Sequence, residues 1–588
     1  HMKEYWTGRI GDIAHVELPN EEMRNAYYAT FIQCCIIKDP YLAQSPGNGQ
    51  EAVYDASVGS DLIVGENGYD HVHRTDQIET IVAMLAYGDT KDIQHNMVKA
   101  LDEGEESYAG ATWKMAWPWA VYLHKTGDKE FVSQYFERIK ARTHEIEADR
   151  MDDGDTADGD LHDGVMDFSF IDTYGSWTTW NWAALNSLLS YEYICGQLGE
   201  TQEQEWAQAE YKSLLEACNS RVELTQEENA IDYIPGDILQ PNAANRTGWL
   251  KDGNWAVHLF NGRWPWEGYL FGADQEGTMK DSIDATYTQG IGMHEKLLDE
   301  NTFGSFPVYD QISFDQYLST AYNASYGAGA LLGNGYRDIA IKNYEYMLEY
   351  TQSGPYSWWE NIYKPSDPDS EEYGPSHATG DGSAPHMWGQ MSANKTMLDA
   401  ILSEKYDGTL VVGRGIPEEW IASGEKTQVS NFKTADGSVS VSIQKSGENQ
   451  VMLEVGYEDG TAKRPVEFSL PVFRYNVVQV DCDAAEINDA DGVICLPAGT
   501  DKVTVTLDSM EEYESVQKKY EAEKAENIGT DPVYKSDSRK EGRNQFAYDQ
   551  YGNKMHLESS GSGYVQGFDF GDQVRFTVNV PADGSYKI

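Results

Sequence analysis

Two short stretches of this sequence set a carboxylate among indole rings. In Ser357-Trp358-Trp359-Glu360-Asn361-Ile362 the acid is Glu360. In Asn261-Gly262-Arg263-Trp264-Pro265-Trp266-Glu267-Gly268-Tyr269 it is Glu267, with Arg263 near enough in sequence to bridge it. Apolar ring surface disfavours the ionised carboxyl, and the same surface stacks on the faces of sugar rings. Hydrolysis of a glycosidic bond needs two carboxyls, one on each side of that bond. A third candidate is Asp172, in a run that also holds Trp177 and Trp180 and leads into a strong helical pattern; capping that helix is an equal reading for it. The fourth lies in His71-Val72-His73-Arg74-Thr75-Asp76-Gln77, where Arg74 and Asp76 stand two apart at a helix opening and an ion pair or cap is the plainer reading. After Glu360 comes a polar excursion from Gly374 to Gln390 whose donors His377, His386, Trp388 and Gln390 could face the same rim.

Other chemistries are poorly supplied. Asp152-Asp153-Gly154-Asp155-Thr156-Ala157-Asp158-Gly159-Asp160 is acidic, but its steps are not those of a calcium loop and no closing Glu follows. There is no phosphate-cradling Walker loop, no dinucleotide fingerprint after a strand, no His-Glu-x-x-His and no Cys-x-x-Cys. Catalysis is therefore expected to need no cofactor. With 44 Lys and Arg against 97 Asp and Glu, the formal charge of −53 repels phosphate backbones, so nucleic acid is not an expected partner. The 16 Trp, 38 Tyr and 17 Phe in 588 residues exceed what a core needs and suggest carbohydrate. No apolar run approaches the roughly 20 residues of a bilayer span. The chain opens His1-Met2 with no apolar leader, and a secreted or cell-surface protein whose targeting segment has been removed is the expectation. Of six cysteines, the adjacent Cys34 and Cys35 read as buried thiols, while Cys482 and Cys495 flank a short β segment and could pair.

These loops must be held by helices. Apolar residues recur at helical spacing over Met23 to Ile37, Ile78 to Tyr87, Trp113 to Leu123, Trp180 to Leu198, Trp206 to Leu215, Ile283 to Leu298, Phe314 to Leu332, Ile339 to Tyr350 and Met391 to Leu402. Alternating short and long connections predict antiparallel hairpins, about six of which close into a ring with the long loops on one rim. After Tyr406 the period changes to two, as in Ser438-Val439-Ser440-Val441-Ser442-Ile443 and Lys502-Val503-Thr504-Val505-Thr506-Leu507. The expected fold class is mainly α and multidomain: a helical-hairpin toroid over 3–406, a β-sandwich over 407–508, a linker over 509–519, and a partial second β-sandwich over 520–588.

The run Trp358-Trp359-Glu360, followed by Pro385-His386-Met387-Trp388-Gly389-Gln390 opening a final helix, resembles the sixth hairpin of the six-hairpin glycosidases, closest to the α-L-rhamnosidase type. The segment Gly415-Ile416-Pro417-Glu418-Glu419-Trp420 resembles the small sandwich that follows the barrel there. The likeness implies an (α/α)6 barrel, a glycosidase activity, and Glu360 as the base that activates water. The Asp-Arg-x-Glu acid motif of rhamnosidases is not intact, and Arg74-Thr75-Asp76 stands nearest to it. The tail, from Tyr520-Glu521-Ala522-Glu523 through Ser559 to Tyr586, resembles a calcium-dependent carbohydrate-binding module. That likeness implies Glu521 and Glu523 as ligands of a structural calcium.

The leading expectation is an inverting, exo-acting glycoside hydrolase with Glu360 as base, Glu267 or Asp172 as acid, and Asp76 in reserve. Trp177, Trp180, Trp264, Trp266, Trp358, Trp359, Arg74, Arg263, His377, His386 and Trp388 would line its subsites. A polysaccharide lyase on a helical toroid and a non-catalytic carbohydrate-binding protein are the alternatives. The first of these needs a cationic cleft that so acidic a chain supplies poorly.

Overall fold

The computed structural model describes residues 1–40, 42–44, 53–54, 59–67, 72–102, 112–150, 164–166, 178–234, 277–283, 285, 318–319, 324, 327–332, 337–364, 378–470, 476–488 and 492–508, and short strands between 526 and 575. Ten helices used below are α1 (Met2–Asp12), α2 (Glu21–Ile37), α3 (Arg74–Tyr87), α4 (Ile93–Asp102), α5 (Ala116–Thr126), α6 (Lys129–Thr143), α7 (Thr178–Leu198), α8 (Thr201–Asn229), α9 (Ile339–Tyr350) and α10 (Met387–Ile401).

Burial sorts these helices into two layers. In α6 only Val132, Phe136, Ile139 and Thr143 are buried, a single stripe at spacings of three and four, as on a helix with one face to solvent. In α10 all fifteen residues are buried, and α5 is buried from Ala116 to Lys125. Helices buried all round belong inside. The inner helices pack in the order α10, α3, α5, α7, with α9, α2, α4, α6 and α8 against their outer sides. Among the described residues, the last inner helix thus lies against the first, which is the contact that closes a ring. The fold is a helical-hairpin toroid.

At that closure a chain of phenols crosses four elements. Tyr344 of α9 donates to Asn394 Oδ1 of α10, Asn394 Nδ2 donates to Tyr87 of α3 at 2.7 Å, Tyr87 donates to the Tyr27 carbonyl of α2 at 3.1 Å, and Tyr27 donates to the Ala14 carbonyl at 2.7 Å. Burial pushes all three phenols up, so each stays an O–H donor.

Several helices extend beyond their apolar periodicity. The stretch expected from Trp206 to Leu215 is the middle of α8, which runs from Thr201 to Asn229 through exposed polar residues of good helix propensity. Phe314 to Leu332, expected as one helix, instead contains a strand at Leu318–Ser319 that pairs with Asn361 and Ile362. Ile283 to Leu298 lies almost wholly outside the described residues.

The β strands used below are β1 (His15–Glu17), β2 (Gly65–Asn67), β3 (Ser357–Trp358), β4 (Asn361–Lys364), β5 (Thr379–Asp381), β6 (Ser383–His386), β7 (Leu402–Glu404), β8 (Leu410–Val412), β9 (Thr427–Thr434), β10 (Gly437–Gly447), β11 (Gln450–Tyr457), β12 (Val466–Ser469), β13 (Val477–Val480), β14 (Glu486–Asn488), β15 (Val493–Leu496) and β16 (Lys502–Leu507). Two sheets form from β7 onward: one of six strands in the order β1-β9-β10-β11-β16-β13, and one of five in the order β7-β8-β12-β15-β14. Alternation sets the inner face. Val429, Val441 and Val455 align across β9, β10 and β11, and Ile443, Leu453 and Val503 across β10, β11 and β16, all buried. The strand β7 follows α10 without a break. The edge strand β1 comes from the N-terminal region, with His15 opposite Ser430 and Glu17 opposite Gln428.

Toroid and sandwich meet on a buried charge cluster. Glu404, 1% exposed, has Lys125 Nζ at 3.2 Å, His124 Nε2 at 3.4 Å and the Arg464 guanidinium against it, and Arg464 continues to Asp436 at 2.8 Å. Burial alone would raise the Glu404 carboxyl, but Lys125, His124 and Arg464 bring it down to about 2.

A second compact unit comprises Glu295–Phe303 and Glu512–Ile588. Its described strands form three antiparallel pairs: Glu526–Ile528 with Gln573–Arg575, Val533–Ser536 with Gly563–Gln566, and Ala547–Tyr548 with Lys554–Met555. Glu521 and Glu523 lie outside the described residues. All six cysteines are free thiols, Cys482 and Cys495 included.

Replacing Glu404 by Gln leaves Lys125 and Arg464 buried with too little negative charge. Glu404→Gln should lower the unfolding free energy by about 3 kcal/mol, measured by urea denaturation at pH 7.

Candidate active site

Glu360 sits where β3 hands over to β4, and its surroundings are built from backbone. Trp358 comes first. It is fully buried, with its indole N–H donated to the Met347 carbonyl at 3.1 Å and its backbone N–H to Gln390 Oε1 at 3.2 Å. Gln390 Nε2 in turn reaches Gln33 Oε1 at 2.7 Å on α2. Trp358, expected in a sugar subsite, is therefore an anchor inside the toroid, because an indole with both faces in the core presents no surface to a ligand. Trp359 and Glu360 are half-buried.

The Glu360 backbone N–H donates to the Ser383 carbonyl at 3.1 Å. Its carboxylate lies against Gly382, where an added Cβ would overlap it and where φ is +77°, so this position excludes side chains on both counts. Beyond Glu360, β4 pairs with β5, Asn361 opposite Asp381 and Ile362 opposite Gly380.

Ser383 opens β6, which pairs with β2: Ser383 opposite Asn67 and His386 opposite Gly65. Met387 N–H also donates to the Val64 carbonyl at 2.7 Å. At Gly65 a Cβ would run into the Pro385 carbonyl and the Ser383 side chain, so the two strands meet backbone to backbone. His386 ends β6 and caps α10. Its Nδ1 accepts from the Gly389 N–H at 3.3 Å, which assigns the proton of the neutral ring to Nε2. Burial pushes this imidazole down to about 4, with Asp76 pulling the other way. Asp76 lies in the first turn of α3, with His73 Nδ1 at 3.5 Å from its carboxylate.

Trp388 also departs from its expected role. It is 5% exposed and donates its indole N–H at 2.6 Å to Glu79 Oε2, which Ser392 Oγ approaches at 3.5 Å. It joins two inner helices and offers no face to a sugar. His386, with no exposed surface, ends the strand to which the Glu360 backbone is bonded.

Of the expected site residues, then, Glu360 is bonded through its backbone to the strand that His386 ends, and Asp76 acts on His386. Glu267, Asp172, Trp177, Arg263, Trp264, Trp266 and His377 lie outside the described residues. Arg74 and Trp180 fall in the first turns of α3 and α7, and their side chains lie outside the described residues. Sequence reading missed Gly382, Gly65 and Glu79. The Asp-Gly-Ser run at 381–383 was a signal for the first of these. Among the described residues no group of three or more His, Cys, Asp and Glu could hold a metal ion.

No protein-family model matches the sequence, and no curated protein matches it. Among solved structures, the α-L-rhamnosidase of Dictyoglumus thermophilum aligns with 84% of this chain and 50% of its own, at 10% identity and a TM-score of 0.49. A GH78 family rhamnosidase of Bacillus sp. GL1 aligns over 78% and 42%, at 14% identity and a TM-score of 0.43. A sialidase aligns over 77% and 40%, at 12% identity and a TM-score of 0.49. The chain spans half or less of the length of these proteins.

The depressed imidazole has a pH consequence. A histidine whose folded pKa is about 4, against an ordinary value of 6.5, binds its proton more readily when unfolded, so its stability is fully present above pH 6.5 and drains away as pH falls toward 4. Between pH 7 and pH 4 the protein should lose about 3 kcal/mol more than His386→Gln does, read from urea denaturation at both pH values.

Proposed function

We propose that this chain is a glycoside hydrolase of the inverting, exo-acting kind, with Glu360 as general base and Glu267 as general acid, Asp172 being the competitor for that second role. The observation that supports this most is the seating of Glu360: a carboxylate half-open to solvent, its backbone tied to the strand of His386, its side chain held against a glycine, and Trp359 beside it as a stacking face. A base gains from being fixed before the substrate arrives, since correct orientation of the reacting groups itself lowers the barrier. Water held by Glu360 would lose a proton to it while attacking the anomeric carbon. The acid would give its proton to the departing oxygen, so one water is consumed per bond broken. Room for that water requires the two carboxyls to stand roughly 6.5–9.5 Å apart. The substrate class is a terminal sugar on an oligo- or polysaccharide. Secretion and a structural calcium at Glu521 and Glu523, taking a carbohydrate-binding tail, belong to the same reading.

A panel of 4-nitrophenyl glycosides that includes the α-L-rhamnopyranoside tests it. Glu360→Gln should lower kcat about a thousandfold on whichever member is turned over, with the released sugar of inverted configuration by NMR. Full activity in that variant rejects the assignment. Glu267→Gln should slow substrates with poor leaving groups much more than activated aryl glycosides, because only the former need proton donation; equal losses would point to Asp172 or Asp76 as the acid.

A further inference from the structure

Asn96 lies on α4, an outer helix, and is completely buried. Its amide has two lone pairs and two N–H groups, and all four are used. Oδ1 accepts from the Leu62 N–H at 2.9 Å and from Gln77 Nε2 at 2.8 Å. Nδ2 donates to the Ser60 carbonyl at 2.9 Å and to the Asp92 carbonyl at 2.8 Å. Only the last of these bonds serves α4 itself. The other three reach the first turn of α3, next to Asp76, and the extended segment 60–62.

That segment is clasped from α4 a second time. The Asp61 carboxylate has His95 Nε2 at 2.8 Å and Lys99 Nζ at 2.6 Å, and although burial would raise it, these two partners hold it below its usual range. From Leu62 the chain runs directly to Val64, whose carbonyl takes the Met387 N–H, and to Gly65 and Asn67, which pair with His386 and Ser383. Ser383 then receives the Glu360 N–H. A path of covalent backbone and hydrogen bonds therefore leads from Asn96 through 62–67 and β6 to Glu360.

We propose that Asn96 is a positioning residue for this site: by fixing segment 60–62 and Gln77 together, it sets the register of β2 against β6 and the placement of Glu360 and Asp76. The catalytic part rests on the reading of Glu360 as base; the mechanical part does not. Asn96→Asp keeps the two acceptor contacts but turns carboxylate oxygen toward the Ser60 and Asp92 carbonyls, and Asn96→Leu removes all four bonds.

Hydrogen exchange followed by mass spectrometry decides between this and a role local to α4. In both variants, peptides covering 60–67, 383–387 and 358–362 should exchange about tenfold faster or more, while α8 keeps its protection. Glu404→Gln is the control for general loss of stability. Acceleration confined to 60–62 and 92–96, or spread evenly as in Glu404→Gln, overturns the proposal. On the 4-nitrophenyl glycoside turned over by the parent, kcat should fall about ten- to a hundredfold with KM within threefold. Unchanged kcat in a variant with the exchange signature rejects the catalytic part. If Glu360→Gln, run in parallel, keeps its turnover, the assignment of the base fails, and the exchange result still decides the mechanical part. Should Asn96→Leu not fold, Asn96→Ser is judged by the same exchange pattern.

Discussion

The complete burial of α10 is the constraint from which most of this architecture follows. Six of its fifteen residues are polar or charged enough to demand partners, and none can turn to water. An unpaired polar group in such a place costs on the order of 1–3 kcal/mol, so every one of them must find a complement. Gln390 reaches Gln33 on α2, Ser392 reaches Glu79 on α3, Asn394 reaches Tyr344 on α9 and Tyr87 on α3, Thr396 reaches the Ala324 carbonyl, and Lys395 pairs with Asp399 one turn on. Apolar packing alone would tolerate rotation of α10 about its axis. These bonds do not, and they fix where its first residue begins, which is where His386 and β6 deliver the site strand.

The same logic explains why the site is made so largely from backbone. A rim loop held only by side chains would move with each of them. Here β2, β6 and the turn at Glu360 are joined by main-chain bonds, and glycine at 65 and 382 lets them approach. The sandwich adds support: β7 leaves α10 without a linker, and Glu404 on that strand gathers charges from α5 and from the loop that leads into β12.

How much of this could be read from the sequence depended on whether a residue's partner was near it in the chain. The helices with a single apolar stripe, such as α2, and the alternating strands from Ser438 and Lys502 were legible because their pattern is local. So was the prominence of Glu360, since two indoles beside a carboxylate are visible within three residues. The roles of Trp358 and Trp388 were not. An indole is written the same whether it stacks on a sugar or donates to Met347 or Glu79, and those acceptors lie far away in sequence for Trp388. Asn96 carried no signal at all, because an asparagine in an amphipathic helix ordinarily faces water, and only the fold reveals the four groups converging on it. The helix expected over Phe314 to Leu332 failed at its start for a related reason, though residues 327–330 are helical: apolar spacing there also suits a short strand, and pairing with β4 decides it.

The edge strand β1 carries a consequence for biosynthesis. Its partner β9 lies more than 400 residues later, as does Asn431, whose side chain donates to the Ile13 carbonyl at 2.8 Å across 418 positions. At roughly 5–20 residues per second, a ribosome needs on the order of tens of seconds to supply that partner. Through that interval His15 to Glu17 leave the ribosome as an unpaired strand, a template open to any other extended chain. Neighbouring contacts already available, such as the Ala14 N–H to the Tyr87 carbonyl at 2.8 Å, can dock the segment on the first hairpin once α3 has been made. Nascent chains that miss this early docking are the ones exposed to capture by chaperones or by one another, so the first ninety residues set the yield of a fold that is finished only when the sandwich closes.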